Sequence, residues 1–161
     1  MAKVILSLGS NIEDRIKYLQ SAIKSIESNI GIVISLSNIY ETEPWGVENQ
    51  ENYFNQCIIV ETKLNQLLLI AEILKIEESL GRNRINKWDA RTIDIDILFY
   101  NDLVYESEHL VIPHPLIQDR KFVLVPLNEI ASDFVHPLLN KTVKQMLLDT
   151  SDNGELCKVD I

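Results

Sequence analysis

A short apolar run, KVILSL (residues 3–8), reads as a strand, and GSN behind it offers a turn and an N-cap for a helix with apolar positions at Ile16, Leu19, Ala22, Ile23 and Ile26. From Ile32 to Tyr40 the β-branched content predicts a second strand. The polar stretch ETEPWGVENQEN (41–52) separates it from a third, YFNQCIIVET (53–62). Asn65 can cap a second helix whose apolar face is Leu67, Ile70, Ala71 and Leu74, ending at Gly81, a helix-terminating glycine. TIDIDILFY (92–100) is the fourth strand. YNDLVY (100–105) reads as a turn into another strand, and helical periodicity returns at Arg120–Ile130 and Thr142–Leu148.

Strand, helix, two strands, helix, strand is the ferredoxin-like βαββαβ order, an antiparallel sheet with both helices on one face. With the later helices laid over the other face, the expected architecture is an α+β fold in which that core is extended to a three-layer α-β-α sandwich, one domain over residues 1–161. This plan hosts RNA binders, metabolite sensors and transferases, so function has to be read from particular side chains. Charge narrows the field: 24 acidic against 15 basic residues give a net −9, which disfavours nucleic acid or an anionic membrane as partner. No apolar run approaches the ~20 residues of a membrane span, and Val4–Leu8 is too short for the core of a secretion signal, so a cytoplasmic protein is expected. Cys57 and Cys157 lack the paired spacing of zinc ligands and read as reduced structural thiols.

The fourth strand carries two charges where apolar residues would serve. Side chains alternate along a strand, so Asp94 and Asp96 share a face with Thr92 while Ile93, Ile95, Ile97 and Phe99 line the other. With Cβ atoms roughly 6–7 Å apart, two such carboxylates repel by roughly 2–3 kcal/mol at an effective dielectric of about 20. A shared divalent cation removes that cost, and Mg2+ takes one or two carboxylates and completes its shell with water and substrate phosphate. Immediately upstream, GRNRINKWDAR (81–91) places Arg82, Arg84, Lys87 and Arg91 around a single acidic residue, Asp89. Guanidinium forks for phosphate oxygens beside carboxylates for a metal suit a nucleoside triphosphate, although a solvated charged face would use the same residue types. No G-x-x-x-x-G-K-[ST] occurs, so bound ATP would not be held by a P-loop. Glu77 falls at the end of the second helix's apolar stripe, either against ligand or at the surface. His114 sits on a stiff turn between Pro113 and Pro115.

SLGSN, YETEPWG, YFNQC, EESLGRNR, WDARTIDIDIL and IPHPLIQDRKFVLVPL follow in an order that resembles the 6-hydroxymethyl-7,8-dihydropterin pyrophosphokinase family over nearly the whole chain. The most specific part is R-x-x-D-x-D-I followed by P-H and a downstream Arg-x-Phe. The resemblance implies transfer of the pyrophosphoryl group of ATP, a co-substrate, to the hydroxymethyl of a reduced pterin in folate biosynthesis, with two Mg2+ ions and release of AMP. It implies that Asp94 and Asp96 hold both metals and, with Arg82 and Arg91, form the catalytic set. Glu77, Arg84, Lys87, Trp88 and Arg91 would lie on ATP, joined by Ile97, His114 and Arg120. On the pterin side, Tyr53 and Phe122 would sandwich the bicycle and Asn55 read its edge, with Thr42, Pro44 and Trp45 on a loop closing over it. Two aromatic faces and one amide are apt for a flat heterocycle, though ordinary core aromatics would look the same in sequence. Lys87 stands where the family often has arginine, which keeps the charge without the bidentate fork; His109 and Val111 stand where arginine and threonine are familiar. The implied enzyme is a monomer whose partners are ATP and a reduced pterin.

Two other classes share parts of the pattern. A polymerase- or cyclase-like palm also sets two aspartates on such a sheet, but it attacks the α-phosphorus and releases pyrophosphate. An RNA-recognition module shares the element order, yet it needs exposed aromatics on its central strands and a basic surface, which TIDIDILFY and the net charge do not offer. Trp45 and Trp88 fall in the two polar loops, which are expected to move and to close over the site.

Overall fold

The computed structural model describes residues 1–12, 14–43, 51–81 and 92–161. Strand β1 (Ala2–Ser10) is buried from Val4 onward, as its unbroken apolar text requires of a central strand. Further strands are β2 (Gly31–Leu36), β3 (Tyr40–Thr42), β4 (Tyr53–Thr62) and β5 (Asp94–Tyr100). β1 runs antiparallel to β4 on one side and to β5 on the other. β4 pairs with β2 along its C-terminal half and with β3 along its N-terminal end. A hairpin of β6 (Tyr105–Glu106) and β7 (Val111–Ile112) stands apart, and β8 (Leu156–Lys158) adds to β3.

Helices α1 (Arg15–Asn29) and α2 (Gln66–Ser79) cover one face of the sheet, and α3 (Lys121–Ala131) and α4 (Val143–Asp149) the other. One core joins Val4, Leu6 and Leu8 to Leu19, Ile26, Leu69 and Ile73; the second joins Ile5, Cys57 and Ile59 to Val123, Leu127, Val143 and Met146. This is the expected α+β sandwich. As expected, Asn65 Oδ1 caps α2, accepting from the Leu67 and Leu68 amides at 3.0 and 2.9 Å. Gly81 closes that helix at φ +87°, in the left-handed region glycine enters freely.

Four local expectations are corrected. The cap of α1 is Asp14, which accepts from the Lys17 amide, and not GSN, whose Gly9 and Ser10 remain strand. The run Ile32–Tyr40 is broken after Leu36, because Ser37 Oγ accepts from the Cys57 amide at 2.9 Å and so replaces the next ladder bond. On α2 the buried residues are Leu69, Ile73, Ile76 and Glu77, while Leu67, Ala71 and Leu74 are exposed. LLLIAEIL is apolar on every side, so periodicity could not choose the stripe. Finally, Phe99 leaves the face of Ile95 and Ile97: Ile5 pairs with Phe99 but Leu6 with Ile97, and this one-residue bulge turns Phe99 into the second core, against Phe134.

At the sheet margin β2 pairs, among the described residues, with β4 alone, leaving Ile32, Ile34 and Leu36 exposed. Ile34 is an extra residue in that ladder.

Candidate active site

Cross-strand partners share a face, so the register builds the site. Gly9 pairs with Asn55 on one side and Asp94 on the other; Ser7 pairs with Cys57 and Asp96. Asn55, Gly9 and Asp94 thus form a row across three strands on the face covered further along by α3. Two strand spacings put the outer positions about 10 Å apart, with no side chain between them. A Cβ on residue 9 would lie 3.0 Å from Asn55 Oδ1 and 3.4 Å from Tyr53 Cδ1, so the glycine keeps room for both. Sequence reasoning missed Gly9 by treating GSN as a turn. The available signal was a lone glycine within a strand pattern, which marks a close approach.

At one end of the row, Asn55 Nδ2 donates to Thr42 Oγ1 at 2.7 Å; both residues are buried. That bond fixes the amide across the β3–β4 pairing and leaves Oδ1 toward Gly9. Tyr53, half-buried, lies beside it. Phe122 opens α3, and its ring centroid is 5.5 Å from the Arg120 guanidinium carbon. The start of α3 is tied to the C-terminal segment by the Lys121 amide donating to Asp152 Oδ2 at 2.9 Å, and it packs on β4, where Cys57 Sγ is 3.8 Å from the Val123 oxygen. Burial pushes the Cys57 thiol up to about 12, so this sulfur is packing material and not a nucleophile.

At the other end, Asp94 and Asp96 are half-buried at the start of β5. Ile97 turns its side chain to the opposite face, in the core under α1 and α2, so any contact with a nucleotide would come from its main chain. Glu77 is not a frayed surface residue: it is 1% exposed, and its Oε2 accepts from the Ile95 amide at 2.8 Å. His114 is anchored by its amide donating to the Leu98 oxygen at 3.1 Å. Its Nδ1 accepts from the Leu116 amide at 3.1 Å, so the neutral ring carries its hydrogen on Nε2. Burial first, then the Arg120 charge, lower its pKa to about 4 against the opposing pull of Asp94. His114, Arg120 and Asp94 therefore share one electrostatic neighbourhood. Arg82, Arg84, Lys87, Trp88 and Arg91, with Pro44 and Trp45, lie outside the described residues.

Among the described residues no group of three or more potential metal ligands assembles. A cation here would be held by the Asp94 and Asp96 oxygens with water or phosphate filling its shell, a donor set that fits Mg2+ and not a closed zinc site.

A carboxylate pair and a neutral imidazole at one end of a row, an amide and the Tyr53 ring at the other, and Arg120 with the Phe122 ring close to it at the start of α3, define a small-molecule transferase built on a ferredoxin-like sheet. Residues 5–132 match the family model described as 7,8-dihydro-6-hydroxymethylpterin-pyrophosphokinase, and the chain belongs to that family. It is 41% identical over 145 residues to the 2-amino-4-hydroxy-6-hydroxymethyldihydropteridine pyrophosphokinase of Aquifex aeolicus, covering 90% of each chain. To the enzyme of the same name from Methylorubrum extorquens it is 39% identical over 155 residues, 96% of this chain and 97% of that one. The fold is also similar to Plasmodium falciparum HPPK-DHPS, with TM-score 0.77 at 20% identity over 91% of this chain and 42% of that chain.

Proposed function

We propose that the chain transfers the pyrophosphoryl group of ATP to the hydroxymethyl oxygen of 6-hydroxymethyl-7,8-dihydropterin, releasing AMP, through the groups set along the Asn55–Gly9–Asp94 row. That row carries the reading: it offers a recognition end for a flat, hydrogen-bonding heterocycle and an anionic end for a cation-bound triphosphate, separated by about the span of a pterin and its hydroxymethyl arm. Tyr53 and Phe122 grip the ring faces, Asn55 held by Thr42 reads an edge, and Pro44 and Trp45 close the pocket. Arg82, Arg84, Lys87 and Arg91, with Trp88, supply cations and a ring for the nucleotide. His114 adds an Nε2–H donor and Arg120 a guanidinium. Glu77 belongs to this end of the site, and Ile97 contributes its main chain.

The hydroxymethyl oxygen attacks the β-phosphorus in line; an O–P bond forms, the bond from that phosphorus to the α,β-bridging oxygen breaks, AMP departs with its electron pair, and the hydroxyl proton passes to water. Two Mg2+ ions, held by Asp94 and Asp96, would neutralise phosphate charge and lower the pKa of the attacking hydroxyl. The side chains hold reactants in line and exclude water, so ATP is not wasted on hydrolysis. In the same reading the enzyme works as a monomer, one domain over residues 1–161, in the cytoplasm; two cores sharing one sheet support a single folding unit.

Product analysis tests this. Incubation with Mg-ATP and the reduced pterin is expected to give AMP and a pyrophosphorylated pterin in equal amounts. ADP as the main product would mean a simple kinase, and free pyrophosphate would mean α-phosphorus attack.

A further inference from the structure

We infer that Glu77 is a positioning residue for the metal-binding end of β5, acting through the main chain of Ile95. The inference rests on reading Asp94 and Asp96 as the cation-holding pair. Among the described residues β5 pairs with β1 alone, so alternate amides of β5 point away from its partner strand, off the edge of the sheet. The Ile95 amide is one of these, and it lies midway between the two aspartates. Glu77, in the last turn of α2, meets it with Oε2 at 2.8 Å, from a side chain that is 1% exposed.

A buried carboxyl group needs hydrogen-bond partners, and the Ile95 amide is one of those Glu77 has. Glu77 does for Ile95 what a further strand would do: it holds the peptide planes on either side and so sets the directions in which Asp94 and Asp96 leave the backbone. β5 begins at Asp94, the first of the pair, and a strand paired on one side only frays most easily at its first residues. Without the bond the two carboxylates would sample several spacings, and more cation would be needed to gather them. The amide-and-ring end of the row, about 10 Å away, would be untouched.

The test compares the full chain with Glu77→Leu, which keeps the bulk and removes the acceptor, and Glu77→Gln, which keeps an acceptor and removes the charge. Three readouts separate positioning from packing: solvent exchange of the Ile95 amide hydrogen by NMR without metal, the Mg2+ concentration for half-maximal turnover, and the pterin KM. Glu77→Leu is expected to speed Ile95 exchange at least ~10-fold and to raise the Mg2+ requirement ~10–100-fold, with lower kcat and a pterin KM within about twofold of the wild type. Glu77→Gln should restore most of both. An unchanged Mg2+ requirement in Glu77→Leu overturns the inference. So does a Glu77→Gln chain whose Ile95 amide is protected while its Mg2+ requirement stays as high as that of Glu77→Leu. Should Glu77→Leu not fold, Glu77→Gln decides alone: the amide and the Mg2+ requirement must move, or hold, together, and one moving without the other overturns it. Failure of the pyrophosphoryl-transfer reading would appear in the wild-type chain as missing AMP, whereas failure of this inference appears only in variants of an active chain.

Discussion

Asp94 and Asp96 share one strand face, and in the proposed reading they hold the cations of the working enzyme. Asp94→Asn or Asp96→Asn is therefore expected to cut turnover by ~10²–10⁴, about 3–5 kcal/mol of transition-state stabilisation, while the fold survives with a cooperative melting transition. Initial rates at saturating Mg2+ check the first half and a melting curve the second. Gly9 makes the complementary case, since its contribution is an absence. Gly9→Ala places a methyl 3.0 Å from Asn55 Oδ1, and the displaced amide should weaken pterin binding by about 1–3 kcal/mol with ATP binding nearly unchanged. Phe122→Ala or Tyr53→Ala should weaken the pterin by a similar ~1–3 kcal/mol through loss of a stacked face. Calorimetry on each ligand separates these outcomes from general damage to the fold, which would weaken both.

At the scale of elements, the βαββαβ order, the Asn65 cap and the Gly81 stop were all legible, because each rests on a short-range rule with a distinctive residue type. The side of α2 that is buried was not legible, since leucine and isoleucine occupy every stripe and tertiary packing alone selects one. Nor was the phase of Phe99, which turns on a bulge that leaves no mark in the text. The candidate site was legible in its charged half, where DID breaks an apolar run, and poorly legible at Gly9 and Glu77, whose roles come from pairing between distant segments. Two tight turns offer a pH test. His136 is buried, and its Nδ1 accepts from the Leu138 and Leu139 amides, both at 3.1 Å; burial lowers its pKa from 6.5. His114 is lowered further, to about 4. For both, the unfolded chain binds the proton first as pH falls, so the stability they contribute is present above about pH 6.5 and is lost as pH drops below it. Urea midpoints should fall between about pH 6.5 and about pH 5, before most carboxylates titrate, and His136→Asn should flatten that slope whatever its absolute stability.

For the whole molecule, the site lies where the two outer strands of the row meet the edge of the second helical layer, so its ligands add contacts that bridge layers. A non-hydrolysable ATP analogue with Mg2+ at about a hundred times its Kd should stabilise the fold by about 2.7 kcal/mol, or about 5–10 °C in Tm for a chain of this size. Removing the metal with EDTA should abolish most of that shift in the wild type and have little left to remove in Asp94→Asn. The far margin of the same sheet has a different consequence. β2 carries no charge and shows Ile32, Ile34 and Leu36 to solvent, the makings of a template for another chain. The extra Ile34 spoils the regular spacing of its main-chain donors, so an incoming strand could not stay in step. Deleting that one residue is expected to make the chain self-associate more readily as concentration rises, visible by light scattering, with activity per folded molecule intact. On that expectation, a bulge far from the chemistry sets the concentration up to which copies of the chain stay apart.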